Sequence, residues 1–224
     1  MNQTVIINLS PREQGSSSML SYMCKEYLVS KGKQVKLFHL YKSIQSIDLL
    51  LKEIKEADTI ILSGPSYINH FPADTIYLLE KLKENEAIFH NQNVYGIIQG
   101  GMPYIHTHES GVKTLALFCK DVAISYNGSF IIGFGAMLNG KPLNQLVNGK
   151  KVEKNFNLFL QHILRGSSSP DSLYQNCQIK VPGFLYVMLS KVMNTKINKE
   201  LKEKGIDYQQ ESPYWQIGKE QNMQ

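Results

Sequence analysis

The sequence is poor in cysteine. Its 224 residues include three cysteines, Cys24, Cys119 and Cys177, which are far apart and form no C-x-x-C pair. Disulfide frameworks, zinc sites and iron–sulfur clusters need several cysteines at characteristic spacings, so none of these is predicted, and no other metal site is predicted either. The absence of cysteine pairs fits a reducing compartment, and we expect a cytoplasmic protein.

Long apolar runs are also missing. Lys, Asp, Gln or Asn interrupts every hydrophobic segment before it reaches the ~20 residues of a membrane-spanning helix. Residues 1–4 lead directly into an apolar segment, without the basic region and cleavage site of a secretory signal. We therefore expect a soluble protein that is not exported and has no membrane partner.

The charge is too diffuse to indicate binding to nucleic acid. The formal net charge is +5 at pH 7, and the lysines are spread along amphipathic segments, with the highest density over residues 191–204. Solvated helix faces explain such lysines. No nucleic-acid partner is predicted.

What the sequence does contain is a regular alternation of apolar and amphipathic segments. Period-2 and continuous apolar runs predict strands over residues 4–9, 34–40, 58–62 and 94–99 and between residues 123 and 134. Apolar residues at helical spacing predict helices over residues 16–30, 44–56, 73–83, 109–120 and 152–164. Five such alternations indicate an α/β domain with a parallel sheet and helices on both faces.

This alternation ends after residue 165. The segment that follows has the composition of a linker, and no further strand pattern is present. We predict one domain over residues 1–165 and a helical extension over residues 166–224, with helices near 184–193 and 196–203.

The loop after the first predicted strand favours an anion. It reads SPREQGSSS over residues 10–18 and leads into a helix. A helix N-terminus offers unpaired N–H groups, serine hydroxyls add donors, and Arg12 can form charge-assisted bonds to phosphate oxygens. A phosphate monoester fits this set. The loop lacks the G-x-x-x-x-G-K-[ST] and G-x-G-x-x-G patterns, which argues against ATP and against NAD bound in the Rossmann manner.

An alternative explanation of the same loop is purely structural. The serines can cap the helix while Gly15 turns the chain. A second Gly-Ser-Ser-Ser, residues 166–169, follows a helix and runs into Pro170. The tetrapeptide alone therefore proves nothing, and its position between a buried strand and a helix is what favours a ligand.

The loops after the third and fourth strands have their own peculiarities. Residues 64–73 follow the third strand as a Gly-Pro loop and suit a flat ligand, although Tyr67 and Phe71 can equally belong to the core. In residues 100–109 the pair Gly100-Gly101 lets the main chain approach a ligand. The histidines of that loop, with Glu109, match no common metal-ligand pattern, and we interpret them as surface residues near a helix start.

Together the loops resemble those of the flavodoxin-like NAD(P)H-dependent FMN reductases and quinone reductases, including the branch related to iron–sulfur flavoproteins. SPREQGSSSML is similar to that family's phosphate loop S-P-R-x-x-G-[NS]-[TS]-[SA]-x-L, and SGPSYINHFPADTIYLLEKL is similar to its flavin-ring loop. The resemblance implies a flavodoxin-like five-stranded parallel sheet in the order 2-1-3-4-5. The cysteine cluster of the iron–sulfur branch is missing, so no second redox centre is expected.

The resemblance also implies which residues hold FMN. The phosphate would be held by Ser10, Arg12, Ser16, Ser17 and Ser18. The isoalloxazine ring would be bordered by Pro65, Ser66, Tyr67, Ile68 and Asn69, and its pyrimidine edge by Gly100 and Gly101. Asn69 departs from the glycine or small residue of many members, and Ser66 makes the ring environment slightly more polar.

The implied activity is ping-pong hydride transfer from NAD(P)H through FMN to a small-molecule acceptor such as a quinone, nitro compound or free flavin. No catalytic side chain is assigned, and His70 is either a proton donor to a bound acceptor or a solvent-facing residue. A homodimer or higher homo-oligomer is expected. The alternatives are a flavodoxin-type electron carrier, a class that is usually strongly acidic, and a regulatory protein without turnover.

Overall fold

Five parallel strands form the centre of the computed structural model, which describes residues 3–67, 69–179 and 182–206. The strands are β1 Gln3–Asn8, β2 Gln34–His39, β3 Thr59–Ser66, β4 Asn93–Gly100 and β5 Ser125–Ile132. They pair in the order β2-β1-β3-β4-β5. This confirms the flavodoxin-like sheet order that the sequence resemblance implied.

Helices connect the strands. The α-helices are α1 Ser16–Ser30, α2 Leu40–Ser43, α3 Ile47–Lys55, α4 Ala73–Glu84, α5 Glu109–Asp121, α6 Gly135–Leu138, α7 Gly149–Arg165, α8 Ser172–Gln175 and α9 Gly183–Glu203. Short 3-10 turns lie at Ile44–Ser46, Glu86–Ile88, Ile105–His108 and Leu143–Gln145. None of the helices in this described part of the chain combines the length and apolar character needed to span a bilayer.

The helices cover both faces of the sheet. On β4, Gln99 bonds to Ser17 of α1, whereas the side chain of the preceding residue, Ile98, lies beside Gly111 of α5. Because successive strand residues point to opposite faces, α1 and α5 lie on opposite sides of the sheet. Helix α7 packs beside α1, and α4 packs beside α5.

Strand β3 is longer than predicted. It continues through Gly64 and Pro65 to Ser66, where we had expected a loop. The carbonyl of Ser63 points toward β1 and accepts a backbone hydrogen bond from Leu9. Pro65, two residues later in the strand, also has its backbone groups directed toward the β1 side. Strand β1 ends at Asn8, so the missing N–H of Pro65 leaves no ladder bond unmade.

Two helix predictions were wrong in detail. The single helix expected over residues 44–56 starts instead with the 3-10 turn Ile44–Ser46, because Ser46 leaves the helical backbone region with φ −131° and ψ 51° before α3 begins. Conversely, the two helices expected near 184–193 and 196–203 are one helix, α9. The hydroxyl of Thr195 donates to the carbonyl of Lys191 within that helix.

The described residues fall into two compact units, divided between residues 180 and 181. The first unit includes α8, where Tyr174 is buried, and also the buried Cys177. The division thus lies later along the chain than the predicted boundary after residue 165. In the second unit no residue of α9 is buried, and its exposed apolar side chains include Phe184, Val187, Met188, Val192 and Met193.

Aromatic side chains fill the space between β4, β5 and α7. The rings of Phe130 and Phe156 lie 5.3 Å apart, centroid to centroid, and Phe159 lies 5.6 Å from Phe130 and 6.0 Å from Tyr95. All four residues are inaccessible to solvent. Close packing of large rings makes this cluster a main source of hydrophobic stabilisation.

Removal of one of these rings should destabilise the fold strongly. We expect Phe156→Ala to lower the free energy of unfolding by about 3 to 5 kcal/mol, because a buried cavity replaces the ring. The matched control is Leu158→Ala on the exposed side of the same helix, which should change stability by less than about 0.5 kcal/mol. Urea titrations measure both, and equal losses in the two variants would contradict the packing described.

Candidate functional site

Four loops meet at the carboxyl edge of the sheet, next to β1 and β3, where the strand order reverses. A Cβ atom on Gly64 would lie 2.7 Å from Cβ of Leu9, and Gly140 lies against Gly15. The N–H of Phe134 donates to the carbonyl of Met102 at 3.0 Å. In open α/β sheets this reversal point is where ligands bind.

The first loop ends at an uncapped helix N-terminus. Gly15 precedes α1, no side chain caps the helix, and its first turn carries no acidic residue. Ser16, Ser17 and Ser18 are all buried, and Oγ of Ser16 has no hydrogen-bond partner within the described part of the chain. A 15-residue helix that ends in this way offers free N–H groups and a partial positive charge to an anion.

Three of the predicted phosphate-binding residues already make hydrogen bonds within the protein, namely Ser10, Arg12 and Ser18. The backbone N–H of Arg12 donates to Oγ of Ser10 at 3.1 Å, and Oγ of Ser18 donates to the carbonyl of Glu13 at 2.6 Å. The guanidinium of Arg12 donates through Nη2 to Oδ1 of Asn139 at 2.8 Å. One of its five N–H donors is thereby used.

Glu13 is the acidic residue of this loop, and Lys42 pairs with it. The carboxylate and the ammonium form an exposed ion pair. Its hydrogen bond lowers the pKa of Glu13 below the ordinary value and raises that of Lys42. The pair offsets a negative charge that would otherwise oppose an anion in the loop.

The second loop provides an exposed aromatic side chain above buried polar groups. Pro65 and Ser66 end β3 and are buried, and Oγ of Ser66 has no partner among the described residues. Tyr67 is 50% exposed, whereas Phe71 belongs to the core. Backbone bonds of 2.7 and 3.0 Å join Tyr67 and His70 around a tight turn. Ile68 lies outside the described residues.

Asn69 occupies that turn with φ 67°. Only glycine adopts this left-handed conformation without strain, and asparagine tolerates it better than most other residues. The backbone geometry therefore explains why Asn69 is tolerated at this position, where glycine would fit as well. His70 is exposed, which agrees with its interpretation as a solvent-facing residue.

The two glycines of the third loop have different surroundings. A Cβ on Gly100 would lie 2.2 Å from Cε1 of His108, whereas a Cβ on Gly101 would meet nothing within 4 Å. Close approach of the His108 ring is thus what excludes a side chain at Gly100. Only at Gly101 does the backbone face open space.

His108 is not the surface residue we expected. It is buried, and Nε2 lies 3.1 Å from the carbonyl of Met102. Burial lowers the pKa of His108 below its ordinary value. Within the described ranges, no three His, Cys, Asp or Glu side chains are placed to hold a metal ion.

A fourth loop, residues 133–140 after β5, was not predicted as part of the site. Phe134 and Asn139 have φ angles of 56° and 47°, values that are strained for residues other than glycine. Both lie at contacts with the other loops, Phe134 with Met102 and Asn139 with Arg12. The sequence signal for this loop is Asn139-Gly140, a turn dipeptide soon after a buried strand.

Buried amides beneath the loops were also missed. Oδ1 of Asn8 accepts from the backbone N–H of Ser10 at 3.1 Å, which identifies Nδ2 as the donor to Oγ of Ser18 at 2.8 Å and to Nδ1 of His39 at 2.9 Å. His39 must therefore be unprotonated at Nδ1. Nε2 of Gln99 donates to Oγ of Ser17 at 3.2 Å. The sequence signal that could have identified Asn8 and Gln99 is that each is an amide residue at the end of an apolar strand, β1 or β4.

Comparison with known proteins agrees with the fold. No protein-family model matches the sequence, and no curated protein matches it. An NADH:FMN oxidoreductase in its apo form superposes with a TM-score of 0.59 at 14% identity, over 78% of this chain and 94% of that chain. RosB with bound 8-demethyl-8-formylriboflavin 5'-phosphate superposes with a TM-score of 0.56 at 13% identity, over 88% of each chain. A short-chain flavodoxin associated with a bacterial microcompartment superposes with a TM-score of 0.53 at 11% identity, over 75% of this chain and 100% of that chain. At these identities the likeness establishes a flavodoxin-like fold.

The His39 contact makes stability depend on pH. Burial, followed by Lys42, lowers the pKa of His39 below 6.5, and Glu13 offsets this in part; the rings of Tyr22 and Tyr41 lie on either side. A proton on Nδ1 would face the amide N–H of Asn8. The unfolded chain takes up this proton at higher pH than the folded chain, so stability present above pH 6.5 is lost as the pH falls through the folded-state pKa.

We expect His39→Gln to reduce this acid sensitivity. Glutamine does not titrate, and its amide oxygen can accept the Asn8 N–H. Urea titrations at about pH 7.5 and about pH 5.5 should show a smaller loss of stability in the variant than in the wild type, while His108 keeps part of the pH dependence. His70→Gln, at an exposed loop position, is the control and should behave as the wild type does. An unchanged slope in His39→Gln would refute the assignment.

Proposed function

We propose that the protein is an FMN-dependent NAD(P)H oxidoreductase that passes electrons to a small acceptor such as a quinone, nitro compound or flavin. The observation that carries the proposal is the uncapped N-terminus of α1, where Oγ of Ser16 is buried and has no partner in the part of the chain that the structure describes. It lies at the same sheet edge as the half-exposed ring of Tyr67. A phosphate site and an aromatic surface at one edge fit a flat phosphorylated cofactor.

The first loop fits the phosphate of FMN. Free N–H groups at the start of α1 and the hydroxyls of Ser16 and Ser17 supply donors. A phosphate monoester is mostly a dianion at neutral pH, and the oxygens of the dianion are all acceptors. Arg12 has four N–H donors beyond the one bound to Asn139. The proposed phosphate ligands are therefore Ser10, Arg12, Ser16 and Ser17, with Ser18 as part of the loop framework.

The second and third loops fit the flavin ring. Tyr67 offers an exposed aromatic face, and Oγ of Ser66 is a buried polar atom that lacks a partner in the described part of the chain. The main chain at Gly101 borders open space. A ring with a polar pyrimidine edge can contact such backbone and hydroxyl groups. Pro65, Asn69 and Gly100 stay proposed as its further neighbours.

The chemistry that FMN supplies when bound is the transfer of two electrons from NAD(P)H to an acceptor. The contribution of this chain is binding and orientation. The positive end of α1 and Arg12 hold the phosphate, and Tyr67 covers one part of the ring region. No side chain has to act as a nucleophile, and we assign none.

A flavodoxin-type electron carrier is the second candidate, because a short-chain flavodoxin shares the fold. Carriers that dock on protein partners use a strong charge of one sign to steer association. The formal charge of +5 here is small and of the sign opposite to that usual for flavodoxins. This favours the reductase.

Anaerobic mixing with nicotinamide separates the two candidates. We expect protein loaded with FMN to lose its yellow absorbance when NADH or NADPH is added, and to regain it when a quinone follows. A carrier would be bleached by dithionite but not by either nicotinamide. Free FMN at the same concentration is the control for the uncatalysed reaction. Failure of the purified chain to bind FMN at all would refute both candidates.

Arg12→Ala should weaken FMN binding by about 1.5 to 3 kcal/mol, the effect of a lost hydrogen bond to a charged group. Affinity for riboflavin, which has no phosphate, should change little. The matched control is Arg165→Ala, because Arg165 lies with Thr4, Thr59 and Asn93 at the amino ends of the strands. Flavin fluorescence titrations measure each affinity. Equal FMN affinity in wild type and Arg12→Ala would remove Arg12 from the site.

A further inference from the structure

Two buried amide side chains lie beneath the serines of the first loop. Asn8 ends β1 and is 0% exposed, and Gln99 lies near the end of β4 and is 6% exposed. Each donates a hydrogen bond to the hydroxyl of a different serine, Asn8 to Ser18 and Gln99 to Ser17. Because a hydroxyl has one proton, an amide that donates to it decides where that proton can go.

The proton of Ser18 is used within the loop. Nδ2 of Asn8 donates to Oγ of Ser18 at 2.8 Å, and this hydroxyl donates in turn to the carbonyl of Glu13 at 2.6 Å. The contact closes the loop onto the first turn of α1. Ser18 thus has no proton left for a ligand.

The proton of Ser17 has no such partner. Nε2 of Gln99 donates to Oγ of Ser17 at 3.2 Å, and no acceptor for the Ser17 proton is found among the described residues. Ser17 lies in the first turn of α1, one residue after Ser16, whose Oγ has no partner among the described residues. Donation from an amide also polarises the hydroxyl and makes it a better donor.

The position of Gln99 is itself determined by the neighbouring loop. Gly135 begins α6 directly against it, and a Cβ there would lie 2.7 Å from Cβ of Gln99 and 3.1 Å from its Oε1. The Gln99 side chain is thus confined between α6 and α1. This confinement keeps the amide next to Ser17, and the atom that faces the hydroxyl is the donor Nε2.

We propose that Gln99 is a positioning residue for phosphate selectivity: it commits the Ser17 hydroxyl to donate to the phosphate of FMN, while the Asn8–Ser18 pair maintains the shape of the loop. The inference rests on the proposed binding of FMN. With a second pKa of about 6, the FMN phosphate is mostly a dianion at neutral pH, and the oxygens of the dianion accept hydrogen bonds but do not donate them. A serine whose proton was turned away would present a lone pair and repel it.

The test compares FMN with riboflavin, which differ only in the phosphate. Fluorescence titrations give the ratio of the two affinities for each variant. Gln99→Met keeps the length of the side chain and removes the donor, and it should lower the preference for FMN about fivefold, the effect of one ordinary hydrogen bond. Riboflavin affinity should stay the same. A residue that only packs would change both affinities together.

The double variant shows whether Gln99 acts through Ser17. Ser17→Ala should lower the FMN preference roughly tenfold, and adding Gln99→Met to it should cause no further change. Gln99→Glu, whose carboxylate can only accept from Ser17, should lose the preference at least as strongly, and it serves if Gln99→Met does not fold.

The proposal is overturned if wild type prefers FMN and Gln99→Met or Gln99→Glu keeps that preference. It is also overturned if the effects of Gln99→Met and Ser17→Ala add. Both results would leave the FMN reductase function intact. Absence of FMN binding by the wild-type chain would instead refute the proposed function, so the two failures are distinguishable.

Discussion

The arrangement of the site depends on the buried amide of Asn8. Its three hydrogen bonds join the backbone of Ser10, the hydroxyl of Ser18 and the ring of His39. They connect the end of β1 to the first loop, to α1 and to the neighbouring strand β2. An amide buried at 0% exposure is costly unless its polar atoms are satisfied, so this network has one geometry of low energy. The conformation of the first loop depends on these hydrogen bonds.

The polar atoms near this network are only partly satisfied. Oγ of Ser16, Oγ of Ser66 and Oε1 of Gln99 are buried without partners within the described chain. Each costs free energy that other parts of the fold must offset. Strained backbone at Asn69, Phe134 and Asn139 lies at the same edge. A polar cofactor at the proposed site would offset part of these costs.

Much of the fold could be predicted from the sequence. The bounds of α1 and the positions of all five strands follow from apolar periodicity and from glycine and proline signals, and the strand order follows from the loop resemblance. The errors have local causes. Pro65 reads as a strand breaker, but it lies where β1 has already ended. Ser46 has the sequence signature of an ordinary helix residue. Thr195 was expected to lie between two helices, but its hydroxyl bonds within one continuous helix. The burial of His108 could not be predicted, because it depends on the missing side chain of Gly100, which leaves room for the imidazole ring.

The sequence by itself determined the alternation of strands and helices, and with it the edge at which the loops after β1, β3 and β4 converge. It also identified the serines and Arg12 as one group, because these residues are contiguous and lie between a strand and a helix. Only the tertiary structure decided how they are used. The partners of Ser17 and Ser18 are amides on β4 and β1, 82 and 10 residues away, and Arg12 bonds to Asn139, 127 residues away. Hydrogen bonds over such separations depend on how strands are placed in the sheet, and no local pattern encodes their direction.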